Sequence, residues 1–171
     1  LEKHQGTLTT QGAVKASNRR LEHELHDLEY LAARAVWEGR APWPREVLDA
    51  SWQELLLHQF HDMLPGSSIE RVHRESRETS ARLSAGLAAA QRDVLDVSDA
   101  VPAFVNTTPV RRTGFVRHGG RWWRHDVAPF ASGALVAYQS VVGLGFDDWR
   151  IWNDRIRIVF APDGSITSLV D

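Results

Sequence analysis

The densest concentration of chemistry-bearing side chains in the chain is His58-Gln59-Phe60-His61-Asp62. A spacing of three brings His58 and His61 near one face of a helix, which outlines a pair of imidazole metal ligands. The chain has no Cys, so thiolate sites and disulfides are excluded and His, Asp and Glu remain as the strong metal ligands. Zinc needs three or four convergent ligands, and no third can be named from the local pattern. Spacing alone therefore favours a solvated helix end over a metal site.

Three helices are expected to position this cluster. From Gln11 to about Glu38, Leu21, Leu25, Leu28, Ala32 and Ala35 recur at intervals of four, three, four and three, the stripe of a bundle helix roughly 40 Å long. Gly39 supplies its stop, and Ala41-Pro42-Trp43-Pro44 reads as an extended connector because each Pro disfavours helix in the residue before it. A second helix is expected from near Ser51, with Trp52, Leu55, Leu56 and Phe60 as its stripe. Leu64-Pro65-Gly66 ends it and leaves His61 and Asp62 on its last turn. Ser67-Ser68-Ile69-Glu70 has the form of a capping box opening a third helix. Ile69, Val72, Thr79, Leu83, Leu87, Ala90 and Val94 carry that helix to about Val97, completing an antiparallel three-helix bundle.

Beyond Pro102 the period changes from helical to alternating. Strands are expected at Ala103 to Val105, Gly114 to Val116, Trp122 to Trp123 and Ala134 to Tyr138. Asn153 to Phe160 and Ile166 to Leu169 read as a hairpin turning at Asp163-Gly164. The expected class is α+β, with a helical unit over residues 1–100 and, over 101–171, an antiparallel β unit that reads as truncated at Asp171.

A net charge of −2, with 20 basic residues scattered against 22 acidic ones, lacks the footprint of a nucleic-acid binder. No apolar run approaches the roughly 18 residues of a membrane span. Leu1-Glu2-Lys3-His4 has neither an initiator Met nor the apolar core of a signal peptide, so the chain reads as a segment of a longer protein. The absence of Cys fits a cytoplasmic location.

Leu55 through Ile69, with its His58-Gln59-Phe60-His61-Asp62-Met63-Leu64-Pro65-Gly66 centre, closely resembles the helix-to-turn motif of the glycoside hydrolase family 38 α-mannosidases. His4-Gln5-Gly6-Thr7-Leu8-Thr9-Thr10-Gln11 followed by Lys15-Ala16-Ser17-Asn18-Arg19-Arg20-Leu21-Glu22 resembles the stretch that opens the family's middle helical domain. Phe104-Val105-Asn106-Thr107 and the stretch from Trp152 to Asp171 are more loosely similar to its β-sandwich region. The resemblance implies that a catalytic α/β domain precedes Leu1. It implies one zinc ion held by a His and an Asp of that domain, by the catalytic Asp nucleophile, and by His61 here. Asp62 would bind a hydroxyl of the mannose ring, and His4 would line the sugar pocket. Phe60 stands where some relatives carry His, and His58 where many carry Asn, so neither is expected to bind zinc.

Arg19 and Arg20 would tie the first helix to neighbouring domains, with solvated helix-surface Arg as the default reading. Trp122 and Trp123 suggest sugar stacking, but neighbours on a strand face opposite sides, and at least one is expected in a core. The implied activity is retaining hydrolysis of terminal α-mannosidic bonds. Its nucleophile and acid/base carboxylates lie outside these residues, so the isolated chain is expected to be inactive. The competing reading is a non-catalytic helical module that assembles through its bundle surface. Self-association of the isolated chain to a homo-oligomer would not separate the two, since a bundle face left uncovered promotes it in either case.

Overall fold

The computed structural model describes residues 10–95, 103–138 and 145–171. His4 and the expected end of the third helix at about Val97 lie outside the described residues. The architecture is α+β: among the described residues, helices α1 (Gly12–Trp37), α2 (Arg45–His58) and α3 (Glu70–Leu95) are followed by nine short strands.

In α1 the buried residues Leu21, Leu25, Leu28, Ala32 and Ala35 are those of the expected stripe, joined by Val14 and Leu31. The helix ends as Gly39 demands. With Gly39 at φ +68, its N–H reaches the Val36 carbonyl and the Arg40 N–H reaches that of Ala35, so two otherwise orphaned carbonyls are satisfied.

Helix α2 begins earlier than the sequence pattern suggests, at Arg45 directly after Pro44, and it stops at His58. Its seam to the core is Leu48, Ser51 and Leu55. The small polar Ser51 in the middle of this seam hides the periodicity, whereas Leu56, expected in the stripe, is 58% exposed. The early stop corrects a second expectation. His61 and Asp62 lie in a turn beyond the helix, not on its last turn.

Helix α3 carries a further correction. Its buried side chains are His73, Ser76, Ser80, Leu83, Leu87, Ala90 and Val94, a strict alternation of three and four. The apolar residues Ile69 and Val72 drew the expected stripe off by a position, and Ile69 is in fact exposed. The first half of the true seam is polar and so invisible to hydropathy. The His73 ring is almost completely buried, and neither of its nitrogens has a protein hydrogen-bond partner. The Ser67 hydroxyl does not cap the helix: Glu70 instead accepts from Arg77 at 2.9 Å, and the Ile69 carbonyl takes the first backbone bonds, from Val72 and His73.

Polar contacts fix the helix directions. Trp52 Nε1 donates to Glu29 at 2.8 Å and Gln59 Nε2 to Glu22 at 3.0 Å, which sets α2 antiparallel to α1. Ser84 donates to the Glu24 carboxylate, and Arg40 just after α1 donates to the Val94 carbonyl, so α1 and α3 run the same way. Leucines from all three helices form one core, with Leu55 of α2 closing it.

The strands are β1 (Ala103–Val105), β2 (Arg112–His118), β3 (Arg121–Val127), β4 (Ser132–Ala134), β5 (Val136–Ala137), β6 (Gly145–Phe146), β7 (Arg150–Trp152), β8 (Arg157–Phe160) and β9 (Ile166–Val170). They pair antiparallel in three small sheets, β1-β4, β2-β3-β5 and β6-β7-β8-β9. Gly119 and Gly120, both at positive φ, make the two-residue turn of the β2-β3 hairpin. The β8-β9 hairpin turns at Asp163-Gly164 as expected. Neither Trp122 nor Trp123 is buried, although Trp123 is half-covered and donates to the His118 carbonyl.

Asn106 ties the first two sheets together. Its side chain is 1% exposed and donates to the carbonyls of Val110, Val127 and Ala128, while its oxygen accepts from the Thr108 N–H and hydroxyl. The strands rest on α1 through Thr107 Oγ1, which donates to Asp27 at 2.6 Å, and through Tyr30, whose hydroxyl donates to the Phe130 carbonyl at 2.7 Å. Among the described residues no helix is long and apolar enough to cross a membrane.

Asn106→Ala would remove the donor from three carbonyls at once, one of them in a buried contact. We expect it to destabilise the protein by roughly 2–3 kcal/mol, read as a lowered midpoint in chemical denaturation with an unchanged slope.

Candidate functional site

The chemistry-bearing motif sits at one end of the bundle, in the turn between α2 and α3. The backbone there curls on itself: Met63 and Leu64 both donate to the Phe60 carbonyl, and Gly66 donates to that of Met63. Gly66 has φ +88, and a Cβ at this position would lie 2.8 Å from the Thr10 carbonyl oxygen and 2.9 Å from Thr10 Cγ2. This is a place where only Gly fits. The turn is thus pressed against the start of α1, where Gln11 itself is at φ 50. Thr10 and Gly66, more than 50 residues apart in the sequence, thus meet at one end of the bundle.

On this turn His61 Nε2 lies 3.4 Å from Asp62 Oδ2, and both side chains are largely exposed, at 72% and 62%. Phe60 is also exposed, with its ring centroid 4.3 Å from that of His61. The three side chains form a small platform open to solvent. An imidazole and a carboxylate side by side suit metal ligation and acceptance from hydroxyl groups. They do not close a zinc site, and no group of three or more His, Asp or Glu side chains able to hold a metal exists among the described residues. The donor set fits a metal only if further ligands approach this face from outside it.

His58 is engaged elsewhere, its Nδ1 lying 2.9 Å from the Glu54 carbonyl one helical turn back. Arg19 and Arg20 form ion pairs along α1, to Glu22 at 3.0 Å and Glu24 at 3.9 Å, rather than reaching another element. Sequence reasoning missed two residues that engage the turn, Lys15 and Glu22. Lys15 Nζ donates to the carbonyls of Thr10 and Pro65, and Glu22 accepts from Gln59. Both lie in the quoted Lys15 to Glu22 stretch, seven residues apart and therefore on one helix face, which was the available signal.

Carboxylates held below their ordinary range lie outside the motif. The Arg34 and Arg40 guanidiniums do this for Glu38, Arg111 for Asp126, Arg150 for Asp147, and the Ser165 hydroxyl for Asp163. All four lie at the surface and are explained by an ion pair or a turn, so none marks a catalytic acid or base. An open groove between α1 and the first strands is lined by His23, Asp27, Thr107, Arg112 and His125, among others, and includes no residue of the motif.

Comparison with known proteins gives a consistent result. Residues 2–97 match the model of the alpha mannosidase middle domain. The human protein alpha-mannosidase 2C1 is 30% identical over 193 aligned residues, covering 99% of this chain and 19% of that protein. An alpha-mannosidase of Saccharomyces cerevisiae is 41% identical over 75 residues, 43% of this chain and 7% of its own. Alpha-mannosidase G of Dictyostelium discoideum is 45% identical over 76 residues, again 43% of this chain and 7% of its own. The chain thus spans about a fifth or less of the length of these relatives.

Gly66→Ala and Gly164→Ala make a matched pair. Both positions have positive φ, but a Cβ at Gly164 meets nothing within 4 Å. Each should lose about 1–2 kcal/mol from the backbone alone, and Gly66→Ala should lose more. The difference in thermal midpoint reads the contact with Thr10.

Proposed function

The chain belongs to the α-mannosidases of glycoside hydrolase family 38, whose middle domain it carries, and on that premise we propose that it supplies one wall of a zinc-dependent mannosidase active site. The observation that carries this reading is the exposed His61-Asp62 pair on a turn held against the start of α1. A lone imidazole on a braced, open turn suits a ligand that completes a site built mainly from another part of the protein.

In this reading His61 is the fourth ligand of one zinc ion. The other three come from a catalytic domain outside this chain. Bound there, zinc would hold ring hydroxyls of an α-mannoside and favour distortion of the sugar toward an oxocarbenium-like geometry. His61 would serve as the imidazole ligand that this chain contributes. Asp62 accepts a hydrogen bond from a mannose hydroxyl and orients the ring, and Phe60 covers the imidazole from one side. His4 lines the same pocket. Glycosidic bond cleavage with retention needs a nucleophile and an acid/base carboxylate about 5–5.5 Å apart. Both are assigned to the catalytic domain, and the isolated chain is inactive. A cytoplasmic location accompanies this reading, from the absence of Cys.

The test is bound zinc and α-mannosidase activity in the full-length protein. His61→Ala should lose both, each by more than about 100-fold, since even outer partners of a metal site are worth 10–100-fold. Asp62→Asn should keep zinc and raise KM. Full retention of zinc and activity in His61→Ala would make the motif a structural turn and end the assignment.

A further inference from the structure

The turn that carries His61 is only five residues, Phe60 to Leu64, between two anchored ends. At one end Gln59 Nε2 donates to Glu22 Oε1 at 3.0 Å. At the other, the Pro65 carbonyl accepts from Lys15 Nζ at 3.2 Å, and the same ammonium group holds the Thr10 carbonyl. Lys15 and Glu22 are separated by two turns of α1, about 10.5 Å along its axis. One face of α1 therefore presents a cation and an anion at the separation of the two ends of the turn.

These are not surface ion pairs of the ordinary kind. Lys15 is directed at two backbone carbonyls rather than at a carboxylate, and the two belong to segments more than 50 residues apart. Glu22 accepts from Asn18 and Arg19 on its own helix as well as from Gln59, contacts that restrain its carboxylate. Both residues are half-buried, where charge-assisted hydrogen bonds are roughly twice as strong as neutral ones.

We propose that Lys15 and Glu22 are positioning residues that clamp the Phe60–Leu64 turn onto α1 at both ends and so fix the His61 imidazole before it meets the metal. The proposal rests on the reading of His61 as a zinc ligand. A ligand held in place beforehand loses less conformational freedom on binding, so the clamp contributes to metal affinity without touching the metal.

In the full-length protein, zinc affinity would be measured by competition with a chromogenic chelator, together with kcat, KM and the thermal midpoint. Amide exchange of residues 60–64 would be followed in the metal-free protein. Lys15→Met and Glu22→Ala should each weaken zinc about 10–100-fold and speed exchange in the turn, with little movement of the thermal midpoint. Glu22→Gln retains an oxygen that accepts from Gln59 and should keep most of the affinity. Gln59→Ala, which removes only the far partner, should match Glu22→Ala and serves if the Glu22 variant does not fold.

Wild-type zinc affinity and exchange in Lys15→Met and Glu22→Ala would overturn the clamp. So would a Glu22→Gln variant as weak as Glu22→Ala. His61→Ala run alongside separates the two ideas. If it loses zinc while the clamp variants behave as wild type, the clamp alone is wrong, whereas retention of zinc in His61→Ala removes the zinc reading and, with it, the purpose assigned to the clamp.

Discussion

The seam between α1 and α3 holds the rest of the molecule in register. Leu21, Leu25, Leu28, Ala32 and Ala35 on one side and Leu83, Leu87, Ala90 and Val94 on the other are excluded from water, and their three-and-four spacing lets two parallel helices mesh over most of their length. Once that register is set, α2 has one way to return, with Leu48 and Leu55 completing the core. The turn after α2 then arrives at the start of α1. The strands use the same helix as a platform, since Thr107 and Phe130 dock on Asp27 and Tyr30. Helix α1 is thus the common reference for the core, the sheets and the motif-bearing turn.

Polar side chains do much of the positioning around this apolar seam. Asn106 replaces a patch of core by gathering three carbonyls into one amide group. Glu22 binds Gln59 at the end of α2, and Glu24 binds Ser84 of α3. Such groups contribute modest net stability each, but their geometry is directional. They select one rotation of each helix where leucines alone would allow several.

Legibility in the sequence followed the same division. The apolar positions of α1, its stop at Gly39, the second half of the α3 seam and the Asp163-Gly164 hairpin could all be read, because hydropathy and φ preference encode them directly. The start of α2 could not, since Ser51 interrupts its seam, and the first half of α3 could not, because His73, Ser76 and Ser80 occupy positions where an apolar residue is expected. Strands β6 and β7 are too short for a period to register. At the candidate site, the residue types of His61 and Asp62 were legible, but their place beyond the helix end was not. The roles of Lys15 and Glu22 depend on a tertiary contact that no local pattern contains, and His4 lies outside the described residues.

The polar half of the α3 seam has a consequence for motion. Per turn of helix, His73, Ser76 and Ser80 remove far less apolar surface from water than Leu83, Leu87 and Val94 do, so the bundle is not equally held along its length. The half with leucines in the seam is expected to stay closed until the domain unfolds as a whole, and the half next to the His61 turn to open first in local fluctuations. A site assembled across this end would therefore close it, so that occupancy of the pocket is felt as added rigidity in the first turns of α1 and α3.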